Sequence, residues 1–190
     1  MLKIDVYHGT TKENARSIVE NKEFRINDDK NDKLYLGAGI YFFEEKIHAV
    51  TWNIHLFRKN KIGNLAFKAL LEGYSVIRAR LNIIDDNILD LDDLNDNRVL
   101  DILALKVKEK FGVQINNNYV AYINFLQRNE LIPNICVMKK NFTYKIRNNT
   151  WGRLKSISRA VYCVKDKSII SNIEELEITK KEFDSAVYYA

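Results

Sequence analysis

Two short segments about thirty residues apart constrain this chain more than anything else in it. They are Tyr7-His8-Gly9-Thr10, and Gly37-Ala38-Gly39-Ile40-Tyr41-Phe42 with Trp52 eleven residues after Tyr41. Leu2, Ile4 and Val6 alternate with polar residues at the period of a half-buried strand, so His8 and Gly9 are expected where that strand leaves its sheet. Gly9 has no side chain, and its N–H and C=O can meet a planar amide edge on; the His8 imidazole can donate to a sugar hydroxyl, and Thr10 adds a hydroxyl nearby. Gly37 and Gly39 bracket the start of a second strand, where a close backbone approach is tolerated. Tyr41 then offers a flat ring with a polar tip, and Trp52, on the helix that follows, a second flat face. Taken singly, His-Gly-Thr is a common turn and each aromatic a core residue. Their joint order and spacing read as a nicotinamide-nucleotide pocket.

The same residues carry a family resemblance. His-Gly-Thr, then Gly-x-Gly-Ile-Tyr-Phe, then an aromatic eleven residues beyond the Tyr resembles the ADP-ribosyltransferases of the poly(ADP-ribose) polymerase type, in particular their small bacterial and phage-encoded members. The likeness is specific over residues 7 to 52 and topological thereafter. It implies an α+β fold with a split antiparallel β-sheet core and flanking helices, and NAD+ as co-substrate with no metal. It also implies that His8 holds the nicotinamide-side ribose, that Gly9 pairs with the carboxamide through its backbone, that Thr10 helps with the adenosine-side ribose, and that Tyr41 and Trp52 sandwich the nicotinamide. Gly39 belongs to the same pocket.

Two departures bear on the activity. The family's third element lies on a late strand and is a Glu in polymer-forming enzymes; here the strand is read at Arg159 to Val164, which puts Val161 at that position, with Arg159 two residues earlier on the same face as the alternative. An apolar third residue resembles mono-ADP-ribosyltransferases. Many relatives also have a Ser eight residues after the Tyr, bonded to the carboxamide, where this chain has Ala49; one lost hydrogen bond costs roughly 0.5–1.5 kcal/mol. The implied reaction breaks the nicotinamide–ribose bond through an oxocarbenium-like transition state, and an acceptor attacks the anomeric carbon. Glu44 and Glu45 follow the Tyr strand and Glu182 lies late in the chain, and the sequence assigns none of them as the base for the acceptor.

Composition bounds the setting. A chain of 190 residues with 46% hydrophobic content buries one good core, and the absence of any Gly-, Ser- or Pro-rich linker makes residues 1–190 one domain. Lys3 and Asp5 interrupt the first apolar residues and no run reaches membrane-spanning length, so a soluble, cytoplasmic protein is expected. Cys136 and Cys163 stand apart without neighbouring ligands and are read as buried thiols, and His48 and His55 as solvated helix residues. Acidic residues gather between 85 and 96. Between 139 and 167 nine Lys or Arg face one acid, interleaved with Phe142, Tyr144, Trp151 and Tyr162, so the ends of the molecule are expected to differ in sign. Cations among aromatics suit a single-stranded nucleic acid. An RNA or DNA acceptor is therefore slightly preferred over a protein one. Either activity resembles a toxin or phage-defence effector, with an antitoxin as a partner. A degenerate nucleic-acid-binding module of the same fold and an RNA 2′-phosphotransferase are the other readings.

Along the chain, a capping box at Thr10 and Glu13 predicts a helix with Ala15, Ile18 and Val19 on one face. A loop is expected from Asn27 to Lys33, a helix from about Glu44 to Lys59, a strand from Tyr74 to Leu81 and an extended piece at Ile88 to Leu91. Helices over Arg98 to Phe111 and Tyr119 to Leu131 follow, then strands at Ile135 to Met138, Phe142 to Ile146 and Ala160 to Val164. Thr179 and Glu182 predict a second capping box and a terminal helix. Helices and strands in irregular alternation predict an α+β domain.

Overall fold

A computed structural model describes residues 1–27, 34–60, 64–84, 87–112, 119–129, 131, 135–145 and 156–190. The alternation that begins at Leu2 runs further than the sequence suggests: β1 is Leu2–Thr11. It pairs without a break against β3, Tyr74–Ile83, from Leu2↔Ile83 to Thr11↔Tyr74. His8, Gly9 and Thr10 therefore lie within a strand and not at its exit, because β3 supplies a partner for every one of them. Helix α1, Lys12–Asn21, starts one residue later than its expected cap: Thr11 is the N-cap, its hydroxyl accepting from Asn14 N at 3.3 Å, while Thr10 stays in the ladder.

The remaining elements are β2 (Ile40–Phe43), α2 (Lys46–Lys59), α3 (Phe67–Gly73), β4 (Ile88–Asp90), α4 (Leu94–Phe111), α5 (Tyr119–Arg128), β5 (Val137–Lys145), β6 (Ser156–Val164), β7 (Ile170–Leu176) and α6 (Lys180–Tyr189). Helix α4 starts earlier than expected because Asp93 caps it, accepting from the amides of Asn95 and Asp96. The two strands expected around Lys139-Lys140-Asn141 are one strand, β5, paired with β6 through those polar residues. The box at Thr179 and Glu182 forms as expected and opens α6. Helix α3 and strand β7 have no clear periodic signal in the sequence. Of the expected loop from Asn27 to Lys33, residues 28–33 fall outside the described residues.

The fold is a mixed α/β arrangement around one seven-stranded sheet, in the order β4-β5-β6-β2-β1-β3-β7. Every neighbouring pair is antiparallel except β4 with β5. Its weakest seam is in the middle: β1 and β2 share a single register pair, Tyr7↔Phe43. Upstream of that pair β2 turns away, and Gly39 instead exchanges both backbone hydrogen bonds with Asn27 at 3.1 Å.

Side chains alternate across the strands and build separate cores on the two faces. On the first face, Val6, Ile40, Phe42, Ile77, Ala79, Tyr162 and Val164 pack with Ala15 and Ile18 of α1 and with Phe24. The second face carries two cores. One holds Val161, Cys163 and Met138 with α4 and α5 residues; the other holds Val76 with Ala49, Val50, Ile54 and Phe57 of α2 and Phe183 and Ala186 of α6. Phe43 touches both, so the seam of the sheet coincides with the division of its second face.

Charge is not segregated as the sequence suggests. Parallel pairing of β4 with β5 sets the acidic stretch against the basic one: Lys139 Nζ lies 2.7 Å from Asp90 Oδ2 and Lys140 Nζ 3.9 Å from Asp92, while the Asn141 amide donates to Asp92. Opposite charges far apart in sequence attract once the strands are neighbours. Asp85, Asp86 and Trp151 fall outside the described residues. Among the described residues no helix is long and apolar enough to cross a membrane.

Candidate functional site

The seam between β1 and β2 collects most of the residues singled out above. His8 points to the first face, its ring edge-on to Phe24 and Phe42 at 5.5 and 5.8 Å. Its Nδ1 lies 2.8 Å from the main-chain oxygen of Tyr41, across the gap that the missing ladder leaves. A carbonyl only accepts, so Nδ1 carries the proton and Nε2 of the neutral ring is an acceptor. Burial lowers the imidazole's pKa, opposed by the bond to Tyr41, and this favours the neutral form. The sequence reading made His8 a donor to a sugar hydroxyl; in the neutral ring the nitrogen left over accepts from one.

Gly9 faces the other way and is required by packing. A Cβ there would stand 2.4 Å from the Ala49 carbonyl oxygen and 2.8 Å from Asn53 Oδ1, because α2 crosses β1 at this point. Asn53 is fully buried and its amide nitrogen donates to Ser75 O at 2.8 Å, which fixes its orientation; Oδ1 is left without a partner among the described residues. Sequence reasoning missed Asn53, whose signal was its place four residues after Ala49 on one helix face. Ala49 is fully buried against Gly9, and Thr10 is buried too. Thr51, two residues after Ala49, turns its hydroxyl back to Ile47 O at 2.8 Å and offers no replacement for the missing Ser.

Tyr41 lies on the second face, opposite His8, and its hydroxyl is committed to the turn before β2. It donates to Gly37 O at 2.8 Å and accepts from Leu36 N at 3.0 Å. Gly37 adopts φ 76°, the left-handed region that glycine enters at no steric cost. Gly39 is needed for a different reason: a Cβ would meet Cys163 Sγ at 2.4 Å and Val164 O at 2.9 Å. Lys165, which the sequence did not single out, donates to Leu36 O and Ala38 O, both at 3.1 Å. The turn is thus tied to β6 from two directions and holds Tyr41 by its tip.

Trp52 is 43% exposed on the outer side of α2, and its ring stacks on that of His55 at 6.0 Å with an interplanar angle of 22°. His55 is exposed, as expected, but His48 is a correction: only 3% of it is exposed. It sits edge-on to Phe43, and burial together with the nearby Arg159 charge pushes its pKa down to about 4. An amphipathic helix turns i and i+7 to different surroundings when its neighbours differ, and α6 and β2 cover the His48 end.

Val161 and Arg159 do share a face; Val161 is buried in register with Phe43, and Cys163 with Tyr41. Arg159 is also buried, and its guanidinium reaches Tyr189 O at 3.3 Å, at the negative end of α6. Its place is under the terminal helix. Glu182 is occupied as well, by Thr179 and by Lys46 Nζ at 2.9 Å. Glu44 and Glu45 are exposed just past β2.

The described part of the basic stretch does not form an open groove. Lys139 and Lys140 pair with Asp90 and Asp92, Arg159 and Lys165 bond carbonyls, and Lys167 pairs with Glu23. Tyr162 is buried in the first core, and Phe142 meets Tyr35 edge-on at 5.4 Å. Among the described residues no group of three or more His, Cys, Asp or Glu stands close enough to hold a metal ion.

Comparison with known proteins gives one informative similarity. The chain is similar to "Uncharacterized protein MJ0359" of Methanocaldococcus jannaschii, 28% identical over 207 aligned residues that cover 94% of this chain and 90% of that protein. No protein-family model matches the chain, and no solved structure does.

Proposed function

We propose that this protein is a mono-ADP-ribosyltransferase that uses NAD+ as donor and a macromolecule as acceptor, on the split-sheet fold of that family. The observation that carries the reading is the seam: β1 and β2 part after one register pair, and His8 bridges the opening by a side chain where a backbone bond would otherwise lie. His8 and the Tyr41 ring lie on opposite faces of the sheet at this seam, His8 against Phe24 and Phe42 and Tyr41 beside Cys163.

The residues fit that donor. Gly9 is buried where α2 crosses β1, and beside it Asn53 Oδ1, without a partner among the described residues, is an acceptor for a carboxamide amide that reaches it. His8 Nε2 accepts from a ribose hydroxyl. Tyr41 is held by its hydroxyl so that its ring keeps one orientation, while Trp52 stands exposed on the outer side of α2 with its ring on His55. Fixed groups of this kind act through orientation. Nicotinamide leaves as a neutral molecule, so the donor half needs no general acid. An acceptor hydroxyl or amine gives up its proton as it attacks the anomeric carbon, and the exposed Glu44 and Glu45 are the carboxylates closest in sequence to Tyr41. With apolar Val161 in the third position, no side-chain carboxylate is offered there for elongation, which favours a single transfer.

A second reading, a nucleotide-binding module without turnover, is favoured by Ala49, which lacks the hydroxyl that relatives use. The two are separated by nicotinamide release from NAD+ with and without RNA, DNA or cell lysate, with His8→Ala and Tyr41→Ala as controls. Release that both substitutions abolish, and that one acceptor class stimulates, supports the transferase. NAD+ binding without release supports the module, and neither binding nor release ends both readings. A toxin-like role would add an antitoxin partner.

A further inference from the structure

Helix α2 contains no acidic residue over its whole length, and its outer side carries an aromatic-to-cation progression. Trp52, His55 and Lys59 stand at i, i+3 and i+7, which places them along one stripe, and Arg58 adjoins it in the last turn. All four are exposed, and the Trp52 and His55 rings lie nearly parallel at 6.0 Å. The pair presents a flat π-surface to solvent beside the cations of the last turn. Basic residues in a last turn also complement the helix dipole, but that effect explains neither the exposed ring pair nor the lack of any acid along the helix.

We propose that this stripe binds a single-stranded nucleic acid, one base stacking on the His55–Trp52 pair and neighbouring phosphates lying on Arg58 and Lys59. Flat π-faces beside a short cationic run are the combination that holds unpaired bases and their backbone. A double helix hides its base faces and gains only the charge term. In the 139–167 stretch Lys139, Lys140, Arg159, Lys165 and Lys167 are engaged within the protein, whereas Arg58 and Lys59 are exposed and lie on an acid-free helix. Resting on the transferase reading, the proposal names the acceptor class: α2 packs its inner side on β1 at Gly9 and carries the stripe on its outer side, so the nucleic-acid strand is held on the helix that borders the seam.

The test is fluorescence anisotropy of labelled oligothymidylate and oligouridylate with the full chain across a salt series, using Arg58→Glu/Lys59→Glu and, separately, His55→Ala. These side chains are exposed, so the variants keep the fold, which circular dichroism checks. The double variant is expected to weaken binding at least tenfold and to flatten the log–log salt dependence by roughly 1.4, about 0.7 for each lost phosphate contact. His55→Ala is expected to weaken it roughly fivefold or more, the lower end for loss of one stacked base. Nicotinamide release in the absence of acceptor should be unchanged in all of them. No binding by the unaltered protein, equal binding of duplex DNA, or binding indifferent to the double substitution would overturn the proposal. Strand binding that depends on Arg58 and Lys59 in a protein that neither binds NAD+ nor releases nicotinamide supports the stripe and ends the transferase reading instead.

Discussion

His8 Nδ1 stands 2.8 Å from the carbonyl oxygen of Tyr41, joining by a side chain two strands that share only one backbone register pair. This contact sets the tautomer of the ring and the width of the seam together. His8→Ala leaves the Tyr41 carbonyl without its donor and opens space against Phe24 and Phe42. A loss of about 1–3 kcal/mol is expected, for the lost hydrogen bond and the space left against the two rings, measured by urea denaturation. Nitrogen chemical shifts of the unaltered protein at neutral pH should show Nδ1 protonated and Nε2 bare; the reverse tautomer would contradict the assignment.

Gly9 and Gly39 are both pinned by neighbours that cannot retreat easily, which separates them from glycines kept for their dihedral freedom. Gly9→Ala drives a methyl against the backbone of α2 at Ala49, and Gly39→Ala drives one against Cys163 and the backbone of Val164. Each is expected to destabilise by about 1–3 kcal/mol, the range for overpacking. Gly9→Ala should in addition reduce NAD+ affinity, because any relief moves α2 and Asn53. Thermal unfolding and calorimetric titration with NAD+ read the two effects apart. An alanine at position 9 that leaves both unchanged would show that α2 packs more loosely than this geometry has it.

Tyr41→Phe and Lys165→Met act on the same turn from opposite sides. Tyr41→Phe removes the bonds to Leu36 and Gly37 but keeps the ring, and Lys165→Met removes those to Leu36 and Ala38 but keeps the stem. Both are expected to lower stability by about 1–3 kcal/mol and to weaken NAD+ binding without abolishing it. Tyr41→Ala, which also removes the ring, should lose binding much more severely. If Tyr41→Phe were as damaging as Tyr41→Ala, the hydroxyl and not the stacking surface would be the important part.

Buried His48 makes the fold sensitive to moderate acid. Its pKa is pushed from the ordinary 6.5 down to about 4 in the folded state, so between those values the unfolded chain takes up a proton that the folded one refuses. Stability is complete above the unfolded value and falls as pH drops from about 6.5 toward 4, by up to roughly 3 kcal/mol at 1.36 kcal/mol per unit. The midpoint of denaturation followed over this range should fall less steeply in His48→Gln. Equal slopes in the two proteins would mean that the ring is protonated without leaving its site.

Arg159 anchors the end of α6 and is expected to be silent in NAD+ binding. Arg159→Met should lower thermal stability and increase amide exchange in the last turn of the helix, while the affinity for NAD+ changes less than twofold. A large loss of affinity with α6 intact would return Arg159 to the candidate third position.

Local signals were sufficient wherever a residue's role depends on near neighbours. The alternation of Leu2, Ile4 and Val6 gives β1, the Thr179–Glu182 spacing gives the cap of α6, and the spacing of His8, Gly9, Gly39, Tyr41 and Trp52 marks the segments that gather at the seam. Those features need only a strand period, a side chain three residues from an amide, or a turn. The rest depends on which distant strands become neighbours, a choice made by packing of the whole sheet. Pairing β1 with β3 keeps His8 inside a strand, and parallel pairing of β4 with β5 neutralises Lys139 and Lys140. Covering the end of α2 buries His48, and docking α6 turns Arg159 into its anchor. The sequence determined which residues carry the chemistry of the candidate site, because that is a property of side chains and short spacings. Only the tertiary structure decided which of them stand free to use it, because burial and charge pairing arise between segments that the chain itself keeps far apart.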